Sequence, residues 1–435
     1  MPHNSADALR AYLKDKRILL LGFGREGRSS YRFLRGLFPT KTLGIADAKP
    51  VDAPDANCTL HTGADYLGVL AAYDLVLKSP GIPFVGVDVP ETCAISGQID
   101  LFLRFAPCTI VGVTGTKGKT TTATLLYDML RASGVPAILA GNMGLPVLDE
   151  WAALAESPTP IFVLELSCHQ LEHAHASPHV AVWTNLYPEH LDHYQTGFSG
   201  YLNAKRQIFR HQQPGDFLVT SSAQDITQFF GTLRPAGALV TVEPPDTLPY
   251  PVSERLPGRH NLLDVALAAA AARLVGATDE GIRQAAADFK GVAHRMEPLG
   301  IFGGLDFVDD CIATVPAATL AALDALPLCR TLIFGGQDRG IDYLPFCGAL
   351  ANTALRTLIA LPDTGHTLVP TLRELCADKQ VIVAADMEEA VAAAFAHTNA
   401  GESVLLSPAA PSYNVYADFE AKAAHFQALI RAYAV

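Results

Sequence analysis

At 435 residues the chain is longer than the roughly 250–300 at which a single hydrophobic core stops growing, so two or three domains are expected. Apolar residues make up 49% and charged residues 17%, which excludes extensive disorder. The formal charge of −12, from 32 basic against 44 acidic side chains, excludes nucleic acid as the main partner, because a phosphate backbone needs a basic surface. A phosphorylated small molecule, which needs only a few local donors, stays open.

The opening MPHNSADALRAYLKDKR has no apolar run of signal-peptide length, and no stretch of 18 apolar residues follows. A cytoplasmic protein with no membrane insertion is therefore expected. Cysteines at 58, 93, 108, 168, 311, 329, 347 and 376 form no CxxC pair, which argues against zinc or a disulfide framework.

Short apolar runs alternate with helical patterns along the whole chain. RILLLGFG (17–24) stops at glycine and leads into the helical REGRSSYRFLRGLF. TLGIAD and YDLVLKSPG come next, then TIVGVTG, IFVLELS, VAVWTNL, TLIFGG and SVLLSP. Runs of this kind are strands buried on both faces, and their alternation with helices implies α/β domains with mostly parallel sheets. Helices are expected at 119–133, with Gly134 as a stop, and at 260–275. A polar, turn-rich stretch near 93–108 and the segment FKGVAHRMEPLG mark boundaries. Three domains, 1–107, 108–293 and 294–435, are expected.

Two glycine loops carry the first chemical signals. Gly22-Phe23-Gly24-Arg25-Glu26-Gly27 fits GxGxxG between a strand and a helix, and Asp47 closes the next strand. Glycines there let a backbone approach a pyrophosphate at a helix N-terminus, while the acid holds a ribose. An NAD-binding oxidoreductase, a site for another nucleotide diphosphate such as a nucleotide sugar, and a plain tight turn all remain open. The second loop, Gly115-Thr116-Lys117-Gly118-Lys119-Thr120-Thr121, follows TIVGVT and precedes a helix. Its backbone N–H groups would cradle phosphates, Lys119 would neutralise their charge, and Thr120 would face Mg²⁺. A full eight-position P-loop needs glycine at 113, where valine stands, yet the GxxGKT part is complete. An ATP-using enzyme is favoured over a dehydrogenase.

Glu165 ends the strand IFVLE, where ligands of open parallel sheets collect, and suits magnesium. The next strand runs into YPEHLDHY, from which His190 stands out. The nearby His169, His173, His175 and His179 are expected mostly on the surface, since their spacing lacks HExxH.

These pieces then fall into a known order. VGVTGTKGKTTT, VLELSCHQLE, NLYPEHLDHY, YLNAKRQIF, PGRHN, AHRME, the DDxxAT of Asp309–Thr314 and LLSPAAPSYNVYADFE together resemble the Mur ligase family of ATP-dependent peptidoglycan-precursor synthetases. The resemblance covers nearly the whole chain. It implies a Rossmann-like N-terminal domain for a uridine nucleotide, a central P-loop ATPase-type sheet and a Rossmann-like C-terminal domain. The N-terminal GxGxxG, the SPGIP of 79–83 and the ending are similar to the branch that adds D-glutamate to UDP-N-acetylmuramoyl-L-alanine. GGQDRG and SPAAPS also resemble L-glutamate-adding relatives, so L-glutamate on the same acceptor is the alternative.

By matched position the resemblance implies catalytic roles for Lys119, Glu165, His190 and Lys205, with Thr120, Glu165, His190 and Lys205 on two Mg²⁺ ions. Lys205 would be carbamylated. Gly115, Thr116, Lys117, Gly118, Lys119, Thr120, Thr121, Asn261, Arg295 and Asp310 would bind ATP. Arg25, Glu26, Asp47, Ser79, Gly81, Asn142, Ser167 and Gln170 would bind the UDP-sugar. Thr314, Arg339, Ser412, Tyr413 and Phe419 would receive glutamate, an anion that calls for cationic and hydroxyl donors. The family also implies a monomer, no NAD, and a place in cell-wall synthesis and cell division. Departures include Cys168, Cys311, Ile312, Asp264 and Lys422.

Overall fold

The computed structural model describes residues 5–142, 145–156, 158–187, 193–222, 230–256, 259–338, 340–412 and 414–433. The chain divides into two units, Met1–Lys290 and Gly291–Val435.

Five strands of the first unit form one parallel sheet: β1 (Ile18–Leu21), β2 (Leu43–Asp47), β3 (Cys58–Thr62), β4 (Leu75–Lys78) and β5 (Ala94–Ser96), in the order β3-β2-β1-β4-β5. β1, ILLL, is buried along its length, which is why its sequence shows a continuous apolar run and no alternation. The chain leaves β1 to one side for β2 and β3 and returns to the other side for β4, so the switch point lies at the carboxyl end of β1.

A second parallel sheet follows: β6 (Ile110–Thr114), β7 (Ala137–Gly141), β8 (Ile161–Glu165), β9 (Val180–Trp183), β10 (Phe217–Ser221) and β11 (Ala238–Val242), ordered β11-β10-β9-β6-β8-β7. Here β6 sits between β9 and β8, and the switch point falls at its carboxyl end. The expected helices form at Lys119–Ala132 and Arg259–Leu274, and they pack on each other. The two sheets share one unit because the helix Gln98–Phe105 drives its apolar side into the second core. Phe102 is fully buried and meets Phe162 at 4.8 Å and Trp151 at 5.7 Å, while Trp151 also stacks 5.0 Å from Phe33. Truncating such an aromatic costs about 3–5 kcal/mol.

The second unit carries β12 (Glu297–Phe302), β13 (Leu305–Asp309), β14 (Cys329–Phe334), β15 (Thr357–Ala360), β16 (Gln380–Val383) and β17 (Ser403–Leu406), in the order β12-β13-β17-β14-β15-β16. All pairs are parallel except the antiparallel β12–β13 edge. Separate apolar clusters, one around Leu332, Phe346 and Leu372 and one around Phe307, Ile333 and Phe426, cover its two faces. No helix among the described residues is long and apolar enough to cross a membrane.

Candidate active site

The second glycine loop leaves β6 and enters the helix at Lys119. Gly115 has φ +152° and Gly118 φ +80°. At both positions a Cβ would also collide, with the Thr184 hydroxyl at 1.9 Å and with the Asp264 carboxylate at 2.5 Å. Only glycine meets both the backbone and the space requirement. The loop is latched from the neighbouring strand end. The Thr184 hydroxyl donates to the Lys117 carbonyl at 2.6 Å, the Asn185 side chain accepts from Lys117 N–H at 2.8 Å and donates to the Lys117 carbonyl at 3.0 Å, and Thr116 N–H donates to the Asn185 carbonyl at 3.0 Å. Below it, the Thr116 and Tyr201 hydroxyls share a 2.8 Å hydrogen bond.

Lys205, on the helix Phe198–Arg210, is 1% exposed, and its Nζ donates to the Gly115 carbonyl at 2.6 Å. Lys119 is the first residue of its helix and donates to the Thr116 carbonyl at 3.0 Å. The positive end of this helix and the Lys119 ammonium thus sit together at the loop, the arrangement that holds anions at helix N-termini, while the Thr116 and Lys117 N–H groups are taken by Asn185.

Glu165 closes β8, next to β6. It is 2% exposed; its Oε1 accepts from the Asn142 amide at 2.9 Å, while its Oε2 is buried with no hydrogen-bond partner among the described residues. A buried carboxylate oxygen without a donor costs free energy unless a cation takes it. The oxygen donors of Glu165 and of the buried Thr120 therefore fit a magnesium ion, a hard cation that prefers oxygen. His190 lies outside the described residues.

On the first sheet, Arg25 and Glu26 open the helix Arg25–Leu37. Asp47 accepts Phe23 N–H at 2.8 Å on one oxygen and Lys49 N–H at 2.9 Å on the other. Its carboxylate therefore fixes the GxGxxG turn. Ser79 donates to the Gly22 carbonyl at 3.1 Å, and Gly81 is exposed. The Glu26 carboxyl is enclosed, although part of the residue reaches solvent. Burial pushes it up to about 7, against the opposing charge of Lys78 and a backbone hydrogen bond at Gln98. Ser167 and Gln170 lock each other in a capping box at the start of a short turn of helix.

Sequence reasoning did not find Tyr201, Thr184, Asn185, Lys78 or Glu172, whose roles rest on contacts with residues distant in the chain. It also placed most histidines near 169–179 on the surface. His175 and His179 are exposed, whereas His173 and His193 turn inward toward Glu172, at 3.7 and 3.6 Å. That carboxylate, the last residue of VLELSCHQLE, gave no spacing signal.

Asn261 and Asp264 lie on the helix Arg259–Leu274 of the first unit; Arg295 and Asp310 belong to the second. Arg295 is exposed and sits between His294 (φ 60°) and Met296 (φ 49°), two non-glycine residues in the left-handed region, a strained backbone of the kind that gathers at functional sites. Asp310 accepts from the Ser407 hydroxyl at 2.8 Å and Met296 N–H at 3.2 Å. Burial nevertheless pushes its carboxyl up to about 6. His294 Nδ1 meets Asp309 at 2.8 Å and packs edge-on against Phe419 at 5.9 Å. Thr314 is exposed, and Ser412 is 2% exposed with its hydroxyl unpartnered among the described residues. Arg339 and Tyr413 lie outside the described residues.

Comparison with known proteins agrees with this geometry. Residues 113–242 match the Mur ligase middle domain, and residues 294–410 match the Mur ligase glutamate ligase domain. A UDP-N-acetylmuramoylalanine–D-glutamate ligase of Symbiobacterium thermophilum is 36% identical over 86% of this chain and 87% of its own. A UDP-N-acetylmuramoyl-L-alanine–L-glutamate ligase of Salinispora tropica is 34% identical over 96% and 98%. In fold, the UDP-N-acetylmuramate–alanine ligase of Thermotoga maritima superimposes with a TM-score of 0.58 at 17% identity, covering 96% of this chain and 100% of that one. The chain thus belongs to the Mur ligases, and it is an ATP-dependent, amide-bond-forming ligase of peptidoglycan precursor synthesis.

Proposed function

We propose that this enzyme joins D-glutamate to UDP-N-acetylmuramoyl-L-alanine through an acyl phosphate, with three working domains at 1–107, 108–293 and 294–435. The observation that carries the ATP chemistry is the lysine-headed loop on β6 beside a buried, half-satisfied Glu165 at the end of β8. A carboxylate is a poor acyl donor because oxide would have to leave. Transfer of the γ-phosphoryl group of ATP to the acceptor's alanine carboxylate supplies phosphate as the leaving group. The glutamate amine then attacks, and a tetrahedral species collapses to the amide with loss of phosphate.

In this reading the amino end of the helix that begins at Lys119 and the Lys119 ammonium hold the triphosphate, and Asn261, Arg295 and Asp310 serve the nucleotide. Catalysis is then mostly positioning and charge neutralisation. Thr120, Glu165, His190 and Lys205 would hold Mg²⁺, which supplies charge neutralisation at the phosphates. Lys205 as a carbamate would become an anionic oxygen donor; its nitrogen keeps one N–H, so the bond to the Gly115 carbonyl survives the modification. Arg25, Glu26, Asp47, Ser79, Gly81, Asn142, Ser167 and Gln170 would line the acceptor site. Thr314, Arg339, Ser412, Tyr413 and Phe419 would receive glutamate, with the unpartnered Ser412 hydroxyl as a donor for a carboxylate.

D-glutamate is supported by the name of the Symbiobacterium relative and of others like it at 32–33% identity. The Salinispora relative's name favours L-glutamate as the second reading. The test is phosphate release by the purified protein with ATP and UDP-N-acetylmuramoyl-L-alanine, offered each enantiomer separately. Faster release with D-glutamate is expected; faster release with L-glutamate overturns the choice of amino acid.

A further inference from the structure

We propose that Lys78 and Glu172 form a strut that fixes the two walls of the acceptor site against each other, making Lys78 a positioning residue for the sugar nucleotide. The inference rests on the acceptor reading above. Lys78 is the last residue of β4, at the ligand-facing edge of the first sheet, and its side chain is 1% exposed. A lysine so buried needs an ionic partner. Its Nζ donates to Glu172 Oε2 at 3.3 Å, and Glu172 belongs to the segment that follows β8 of the second sheet. The bond therefore runs from one sheet to the other.

Both ends lie next to acceptor-side residues. Ser79, the neighbour of Lys78, donates to the Gly22 carbonyl of the GxGxxG turn. Gln170, two residues before Glu172, is locked to Ser167 by the capping box. A small cavity is lined from both walls, by Glu26, Lys78, Ser96 and Gly97 on one side and His169 and Gln170 on the other. The carboxylate is well supported as an anion. Burial opposes its charge, but the His193 imidazole at 3.6 Å and the Lys78 ammonium at 3.3 Å bring it down to about 2. The ammonium is covered by this partnership, so its contribution is geometric: it sets how far the Gly22 turn stands from Gln170.

The strut is tested by steady-state kinetics on the full-length enzyme, varying UDP-N-acetylmuramoyl-L-alanine and ATP separately, alongside thermal melts of each variant. Lys78→Met and Glu172→Gln are expected to raise KM for the acceptor about tenfold with KM for ATP within about twofold, while Lys78→Arg, which keeps the charge, stays within about threefold of wild type. An unchanged acceptor KM in a folded Lys78→Met enzyme overturns the strut, as does an equal rise in both constants. Should Lys78→Met fail to fold, Glu172→Gln against Lys78→Arg decides: a selective acceptor defect in the first alone supports it, and any other pattern overturns it. A wild-type enzyme silent with this acceptor overturns the acceptor reading and the strut with it; an active wild type with insensitive variants overturns the strut alone.

Discussion

Gly22–Gly27 and Gly115–Lys119 each leave the carboxyl end of a central parallel strand, at a switch point, and enter a helix of 13 or 14 residues. Their supports differ. The first turn is held by an anion, Asp47, which takes the Phe23 N–H. Close packing adds to this, since a Cβ on Gly27 would stand 2.1 Å from the Gly22 carbonyl. The second is held by hydroxyl and amide groups from Thr184, Asn185 and Tyr201 and by the buried Lys205, whose side-chain N–H donates to the Gly115 carbonyl. An anionic latch at the first turn would suit ribose hydroxyls. At the second loop Lys119 itself raises the potential where phosphate charges would gather. The same backbone plan is thus braced by a carboxylate in the first loop and by hydroxyl, amide and lysine N–H donors in the second.

The largest expected effect tests the second loop. Lys119→Ala should lower ATP-dependent product formation by about 10³-fold with the fold intact, because the loop then loses its mobile phosphate cation. Turnover within tenfold of wild type, in a variant with a native circular dichroism spectrum, would remove Lys119 from the phosphate role. Next comes the backbone itself. Gly118→Ala adds a side chain at φ +80° against Asp264, and should cost about 1–3 kcal/mol in urea unfolding. Its KM for ATP should also rise by about tenfold, since displaced cradle atoms no longer meet the phosphates.

The first turn should respond more weakly and through the other substrate. Asp47→Ala leaves the Phe23 N–H without its acceptor, costing about 1–3 kcal/mol, and should raise acceptor KM several-fold with KM for ATP unmoved. A matching rise for ATP would erase the division of labour between the loops. The smallest effect is a pH slope. Glu26 binds its proton up to about 7 in the fold, against an ordinary value of 4.5, so folded protein holds a proton the unfolded chain has released. Stability should therefore fall as pH rises from about 4.5 through about 7, and the acceptor's kcat/KM should fall through the upper end as an anion forms beside a diphosphate. Glu26→Gln should flatten both curves; an unaltered pH profile would show that Glu26 titrates elsewhere.

The strands buried on both faces were legible because such runs need no partner to declare them: ILLL, IVGVT, IFVLE and VAVW each appear as continuous apolar stretches and each became a central strand. Edge strands were not. β3 (CTLHT) and β11 (ALVTV) are half-exposed, and β12 runs antiparallel; their composition is that of ordinary surface. At the site, motif residues with local geometry, such as Gly115, Gly118 and Lys119, could be read from spacing. Tyr201, Thr184 and Glu172 could not, since their meaning comes from contacts with residues 67 to 94 positions away.

Alone, the sequence determined the strand–loop–helix units, the order of the motifs and the glycines each loop cannot do without, because those depend on neighbours within a few residues. Only the tertiary structure decided which oxygen of Glu165 is left for a cation, which lysine lies beneath which carbonyl, and that Lys78 crosses to Glu172. Burial and pairing of charge are properties of the packed chain: a lysine reads the same in sequence whether water or a carboxylate surrounds it, and only the fold removes the water.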